Sequence, residues 1–268
     1  MRNDHWVALC YHDVRAATNA SGGGPERFAV PVAAFERMLD TIQSLGFRGC
    51  SLAEARTVVD ARRVAITFDD ATQSQFERAM PALRERGMTA SVYVVTDWVG
   101  RPGYMDWDQL RQIKDWGMSV QSHSKSHPFL SELGRERLQD ELALSRERLD
   151  RELRQETAEI AFPGGDAPRR SLRAMIRACG YCVAVGSRWG VNIDGRESVG
   201  FLRRCTVRGD LDPDTARQYV LADPRLAWKQ HPREFVLRSL RSTLGPSRYA
   251  RWRRRLLDAV TAPVAAGG

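Results

Sequence analysis

The chain has 268 residues, 28% of them charged and 43% hydrophobic, the balance of an ordinary soluble globular protein with a core for one large α/β domain or two small ones. No stretch approaches the ~20 apolar residues that a membrane-spanning helix needs. The formal net charge of +8 points to an acidic partner: nucleic acid, anionic lipid or a phosphorylated substrate. The opening MRNDHWVALCYHDV has no signal-peptide pattern, because His12 and Asp13 break its apolar run; with five cysteines, an odd number suited to free thiols, this leads to the expectation of a cytoplasmic protein.

In chain order, short apolar runs predict strands at 7–12, 64–69, 90–95, 118–123, 159–163, 181–186 and 201–207. Helical spacing fills the gaps. In 31–47, Phe35, Met38, Leu39, Ile42 and Leu45 recur on one face; 75–87 and 134–153 repeat the pattern, the latter laced with opposite charges at i,i+4. Strand–helix alternation of this kind predicts a parallel sheet with helices outside it. About seven units suit an irregular or incomplete (β/α) barrel. An open doubly wound sheet is the alternative, although no Gly-rich phosphate loop follows any strand. The chain shows no internal repeat or low-complexity linker.

In either architecture chemistry belongs where strands end. The strand at 64–69 ends on Asp69 and Asp70, two adjacent carboxylates that repel each other unless one shifts its pKa or meets a cation. The strand at 118–123 leads into SHSKSHP, where His123 and His127 are four apart. One helical turn stopped by Pro128 would point both imidazoles the same way. Two imidazoles and one carboxylate make a facial site for zinc or a similar divalent ion, with positions left open. Surface helices carry such His pairs by chance; the Asp pair after another strand makes the metal site the better reading.

The motifs YHDV (11–14), TFDD (67–70), HSKSH (123–127) and FPGG (162–165) occur in the order that resembles the NodB-type polysaccharide deacetylases, over residues from about 7 to about 207. That resemblance implies an irregular (β/α)7-8 barrel and a metal-dependent de-N-acetylase acting on N-acetylated amino sugars. It implies Asp69 as general base and Asp70, His123 and His127 as ligands of a divalent ion, zinc first and cobalt or nickel as alternatives. The chain departs from the family pattern in three places. Ala71 stands where Gly usually follows the Asp pair. In Ala161-Phe162-Pro163-Gly164-Gly165 the bracing Arg is missing, and Gly164 takes the Tyr position whose backbone N–H serves the oxyanion. The late Leu-x-His motif is not visible. Arg204 is then the candidate brace, or one more solvated arginine, and His12 the candidate general acid, or a hydrogen-bonded core histidine. Other readings are a hydrolase of another small amide and an inactive carbohydrate- or membrane-binding relative.

Two motifs carry less. Cys179 and Cys182 in CGYC have redox spacing, but they close a helix and open a strand, the place of buried structural thiols. His231 has no acid or histidine near it in sequence. Residues 231–268 read as a basic extension to a barrel of residues 1–230, with two amphipathic helices broken at Gly245-Pro246 and anchored by Phe235, Val236, Leu240, Trp252, Leu256 and Leu257. Packing on the barrel is the expected role; contact with an anionic membrane on the cytoplasmic side is the alternative, and no nucleic-acid motif is present. Oligomeric state leaves no mark in the sequence.

Overall fold

The computed structural model describes residues 5–16, 28–58, 62–165, 172–193, 201–209, 212–221, 223 and 225. Its strands are β1 (His5–Tyr11), β2 (Asp13–Arg15), β3 (Ala29–Pro31), β4 (Arg48–Cys50), β5 (Arg63–Asp69), β6 (Ser91–Val94), β7 (Ser119–Ser122), β8 (Glu159–Ala161), β9 (Val183–Val185), β10 (Asn192–Ile193), β11 (Phe201–Leu202) and β12 (Cys205–Thr206). The helices are α1 (Val32–Ser44), α2 (Leu52–Thr57), α3 (Met80–Glu85), α4 (Trp107–Asp115), α5 (Arg135–Leu153), α6 (Arg173–Ala178) and α7 (Pro213–Leu221). A π-helical turn, Gln75–Ala79, leads into α3 just before Pro81, whose ring nitrogen has no hydrogen to give to the helix ladder.

Strands β1, β5, β6, β7, β8, β9 and β11 pair in parallel in that order; β4 joins β5, and β10 lies antiparallel on β1. β11 and β12, two residues apart, sit at opposite ends of this array: β11 pairs β9, while β12 pairs β1. The sheet therefore curls into an incomplete barrel, and the single strand expected at 201–207 is broken at Arg203-Arg204 where it spans the gap. Both faces of β5 are covered and all seven of its residues are buried, as its unbroken apolar run requires.

Alternation with period two sorts the side chains into two layers. Val64, Ile66 and Phe68 join the outer core with Phe35, Met38, Leu39 and Ile42 of α1. Ala65 faces the other way, into a cluster with Trp6, Ala8, Tyr93, Ala161 and Val185. The alanines of this cluster, Ala8, Ala65 and Ala161, let the concave side close, and the same parity sends Thr67 and Asp69 inward. Parallel strands place all their C-terminal ends at one mouth, so His12, Asp69, Asp70, His123 and Ala161 converge there from four different strands.

Candidate metal centre at the barrel mouth

Asp69 ends β5 with a carboxylate that is 3% exposed. Asp70 (φ 75°) and Ala71 (φ 52°) follow in the left-handed region, so the chain leaves the strand abruptly and carries the Asp70 carboxylate away from its neighbour. Ala71 therefore occupies a conformation in which Gly would be at ease and a Cβ is strained. The buried Gln75 amide pins this turn, donating to the carbonyls of Asp69 at 2.7 Å and His12 at 2.6 Å. Nothing in the sequence pattern singled out Gln75.

The histidines are not on a helical turn. Residues 123–128 form a loop in which Ser124 (φ 67°) and His127 (φ 64°) are left-handed. Glu141, buried on the inner stripe of α5, holds the loop by accepting from the N–H groups of Lys125 (3.0 Å) and Ser126 (2.8 Å). Ser124 Oγ accepts from the His127 N–H at 3.0 Å. The loop still brings the rings together, with centroids 4.9 Å apart. His123 Nδ1 lies 2.9 Å from the Ala161 carbonyl, which assigns its proton to Nδ1 and leaves the Nε2 lone pair free.

Asp70 Oδ1 lies 3.6 Å from His123 Nε2 and 3.5 Å from His127 Nε2, and it is a buried oxygen without a hydrogen-bond partner. These separations are too long for hydrogen bonds. They match the ~3.4 Å edge of a tetrahedron with bonds of ~2.1 Å to a central zinc-like ion. Burial, then the charge of Asp69, pushes the Asp70 carboxyl up to about 7, and burial brings the His123 imidazole down to about 3. An orphaned carboxylate oxygen and two neutral imidazoles are a donor set that a divalent cation fits. Among the described residues, Cys10, His12 and Asp69 form a second cluster of potential donors.

Arg204 is fully buried and meets Asp69 as a fork, Nη1 to Oδ1 at 2.6 Å and Nη2 to Oδ2 at 2.8 Å, across 135 residues of chain. Its Nε donates to the Gly186 carbonyl at 3.0 Å, and its guanidinium lies over the Tyr93 ring, 5.2 Å from the centroid. Burial alone would raise the Asp69 carboxyl; the Arg204 charge and then His123 outweigh it and hold the group well below the usual carboxylate range. His12 stands on the other side, its Nε2 4.0 Å from Asp69 Oδ2 and its ring stacked on Phe28 at 4.9 Å. Burial lowers its pKa, and its Nδ1 is buried without a partner.

Gly164 (φ 66°) is exposed, and a Cβ built there would lie 2.4 Å from the Phe129 ring; Gly suits both the backbone and the space. Cys179 and Cys182 are free thiols, with Cys179 raised by burial, the opposite of an activated redox cysteine. His231 and the basic segment 231–268 lie outside the described residues.

Two imidazoles and a carboxylate at the mouth of a curled parallel sheet, with a second carboxylate clamped by arginine beside them, make a candidate mononuclear metal site in an α/β protein. Residues 56–184 match the family model described as polysaccharide deacetylase. YxkH of Bacillus subtilis, which bears a polysaccharide deacetylase name, is 27% identical over 188 residues, covering 68% of this chain; the match spans 64% of the length of YxkH. Two solved structures share the fold. The deacetylase PplD of Streptococcus pyogenes, in complex with acetate, has a TM-score of 0.72 at 22% identity, over 81% of this chain and 98% of that one. IcaB of Ammonifex degensii has a TM-score of 0.71 at 24% identity, over 81% and 97%. Over residues 56–184 the chain is similar to the polysaccharide deacetylase family.

Proposed function

We propose that the protein is a metal-dependent de-N-acetylase that hydrolyses the acetamide of an N-acetylated amino sugar in a glycan or glycoside. The observation that carries this reading is the division of labour within the Asp pair. One carboxylate is aimed at two imidazoles, and its neighbour is held ionised by a buried arginine. Asp70, His123 and His127 would hold the ion, zinc being the first choice for this donor set. When bound, the ion supplies Lewis-acid polarisation of the acetamide carbonyl and acidifies water.

The chain's own groups supply the proton transfers. Asp69, fixed by Arg204, accepts a proton from the attacking water; its Oδ2 faces His12 and also lies 3.9 Å from His123 Nε2. His12, neutral at rest, takes that proton over from Asp69 Oδ2, which its Nε2 faces, and delivers it to the departing amine, so that Asp69 is again ionised at the end. The Gly164 N–H, at the turn beside Phe129, is the backbone donor available to the developing oxyanion. The test is acetate release from N-acetylated chito-oligosaccharides by zinc- or cobalt-loaded protein, with metal content measured in parallel. Acetate should appear with the wild-type chain and vanish in His123→Ala together with the bound metal. Full metal occupancy in wild type with no acetate from any N-acetylated sugar would overturn the reading.

A further inference from the structure

A cavity of about 790 Å³ opens beside Asp70 and His12, and Thr72, Gln73, Ser74 and Tyr104 contribute hydroxyl and amide side chains to its wall. Three of these are engaged. The Thr72 hydroxyl donates to the His12 carbonyl at 3.4 Å and lies 3.1 Å from Ser74 Oγ; Ser74 also donates to Asp13, and the Gln73 amide donates to Glu77 at 3.2 Å. The Tyr104 hydroxyl makes no hydrogen bond among the described residues. Its ring is nevertheless fixed. The Gln73 N–H donates to the Gly103 carbonyl at 2.8 Å and the Met105 N–H to the Ala71 carbonyl at 2.9 Å, which ties Tyr104 to Thr72, just after the turn that carries Asp70. The Trp98 ring touches both sides of this arrangement, with its centroid 5.0 Å from that of Tyr104 and 4.9 Å from that of His127. Burial, then the charge of Asp70, raises the Tyr104 phenol above its ordinary value, so it stays an O–H donor through neutral pH. A phenol already ordered by the fold loses little freedom when it meets a ligand.

We infer that Tyr104 is a substrate-binding residue, its hydroxyl hydrogen-bonding a ring hydroxyl of the amino sugar seated in this cavity. A phenol both donates and accepts, which matches a sugar hydroxyl that does the same. The amino sugar in this assignment rests on the de-N-acetylase reading; the contact itself is measured apart from turnover. The probes are methyl glucosaminide and its 3-deoxy, 4-deoxy and 6-deoxy counterparts, titrated by nuclear magnetic resonance into zinc-loaded full-length protein. None carries an acetyl group, so binding is read without reaction.

Tyr104→Phe keeps the ring against Trp98 and deletes only the hydroxyl. It should retain the metal and weaken methyl glucosaminide about three- to tenfold, the range that one neutral hydrogen bond is worth. One deoxy probe should bind the wild type with a similar loss and show no further loss in the variant, while the other two weaken on substitution as the parent does. In acetate release the substitution should raise KM rather than lower kcat. Unchanged binding of methyl glucosaminide in Tyr104→Phe, or no binding of it by the wild type, would overturn the contact. So would an equal loss for all four probes, because no single ring hydroxyl would then be the partner. A fall in bound metal would overturn it too, because Tyr104 would then act through the shape of the metal centre. If the probes behave as expected but no acetate is released from any N-acetylated sugar, the de-N-acetylase reading fails and the Tyr104 contact stands.

Discussion

The Asp69 carboxylate meets Arg204 through two hydrogen bonds of 2.6 and 2.8 Å, while the Asp70 carboxylate, one residue on, faces imidazole nitrogens at 3.5 and 3.6 Å. Different partners mean different consequences for the same substitution. Asp70→Asn replaces a charged ligand by a neutral amide and should weaken metal binding at least about tenfold. Asp69→Asn should retain the metal and lose turnover by a factor of ~10² or more, because an amide cannot accept the proton. Metal analysis beside acetate release separates the two; equal loss of metal in both would refute the assignment. Arg204→Met leaves the buried Asp69 carboxylate without its cation, a change worth roughly 3–5 kcal/mol of stability. Chemical denaturation would read that loss, and an unchanged midpoint would mean that the pair contributes nothing to the fold.

α5 shows how one element serves both packing and the site. Leu138, Leu142, Leu149 and Leu153 give it a core-facing stripe, yet Glu141 and Ser145 lie buried on that stripe as well. Ser145 Oγ bonds Ser122 Oγ at 2.8 Å at the end of β7, and Glu141 takes the N–H groups of the histidine loop. A charge in the buried stripe of a helix is expensive unless it is hydrogen-bonded, and the loop amides provide those bonds. Glu141→Gln removes the negative acceptor while keeping the shape. It should lower metal affinity by about ten- to a hundredfold, the usual cost of losing support behind a ligand, with the helical circular dichroism signal unchanged. Metal titration against a competing chelator gives the affinity, and wild-type affinity in the variant would show that the loop stands without Glu141.

Across the whole molecule, the barrel interior carries a polar column beneath the site. Glu159, buried at the start of β8, accepts from the Tyr93 hydroxyl at 2.8 Å, and the Tyr93 ring supports Arg204. Burial pushes the Glu159 carboxyl from 4.5 up to about 7, despite the Tyr93 hydrogen bond. Between those values the folded chain keeps a proton that the unfolded chain has released. Stability from this group is therefore complete below about 4.5 and declines as pH rises to about 7. Glu159→Gln should flatten that decline. Denaturation midpoints of metal-loaded wild type and variant, compared from pH 5 to pH 8, test this; parallel profiles would show that Glu159 does not titrate in the fold.

What the sequence determined by itself was local. The apolar run into Asp69-Asp70, the HSKSH spacing and the alternation of strand-like and helix-like periods lie within windows of a few to twenty residues, and periodicity reports burial at that range. They suffice for the curled parallel sheet and for bringing a carboxylate and two histidines to one mouth. Tertiary structure decided the rest. Of 41 basic side chains, only packing selects Arg204, because its partner is 135 residues away and the broken strand at Arg203-Arg204 is set by two distant neighbours, β9 and β1. The expected helical turn at His123–His127 became a loop because Glu141 and Ser124 satisfy its backbone amides better than a one-turn helix ending at proline would. The strain at Ala71 likewise comes from the turn geometry at the barrel mouth, where φ is imposed by the chain on either side. Short-range pattern encodes which groups reach the mouth; contacts between distant segments set how each is held there.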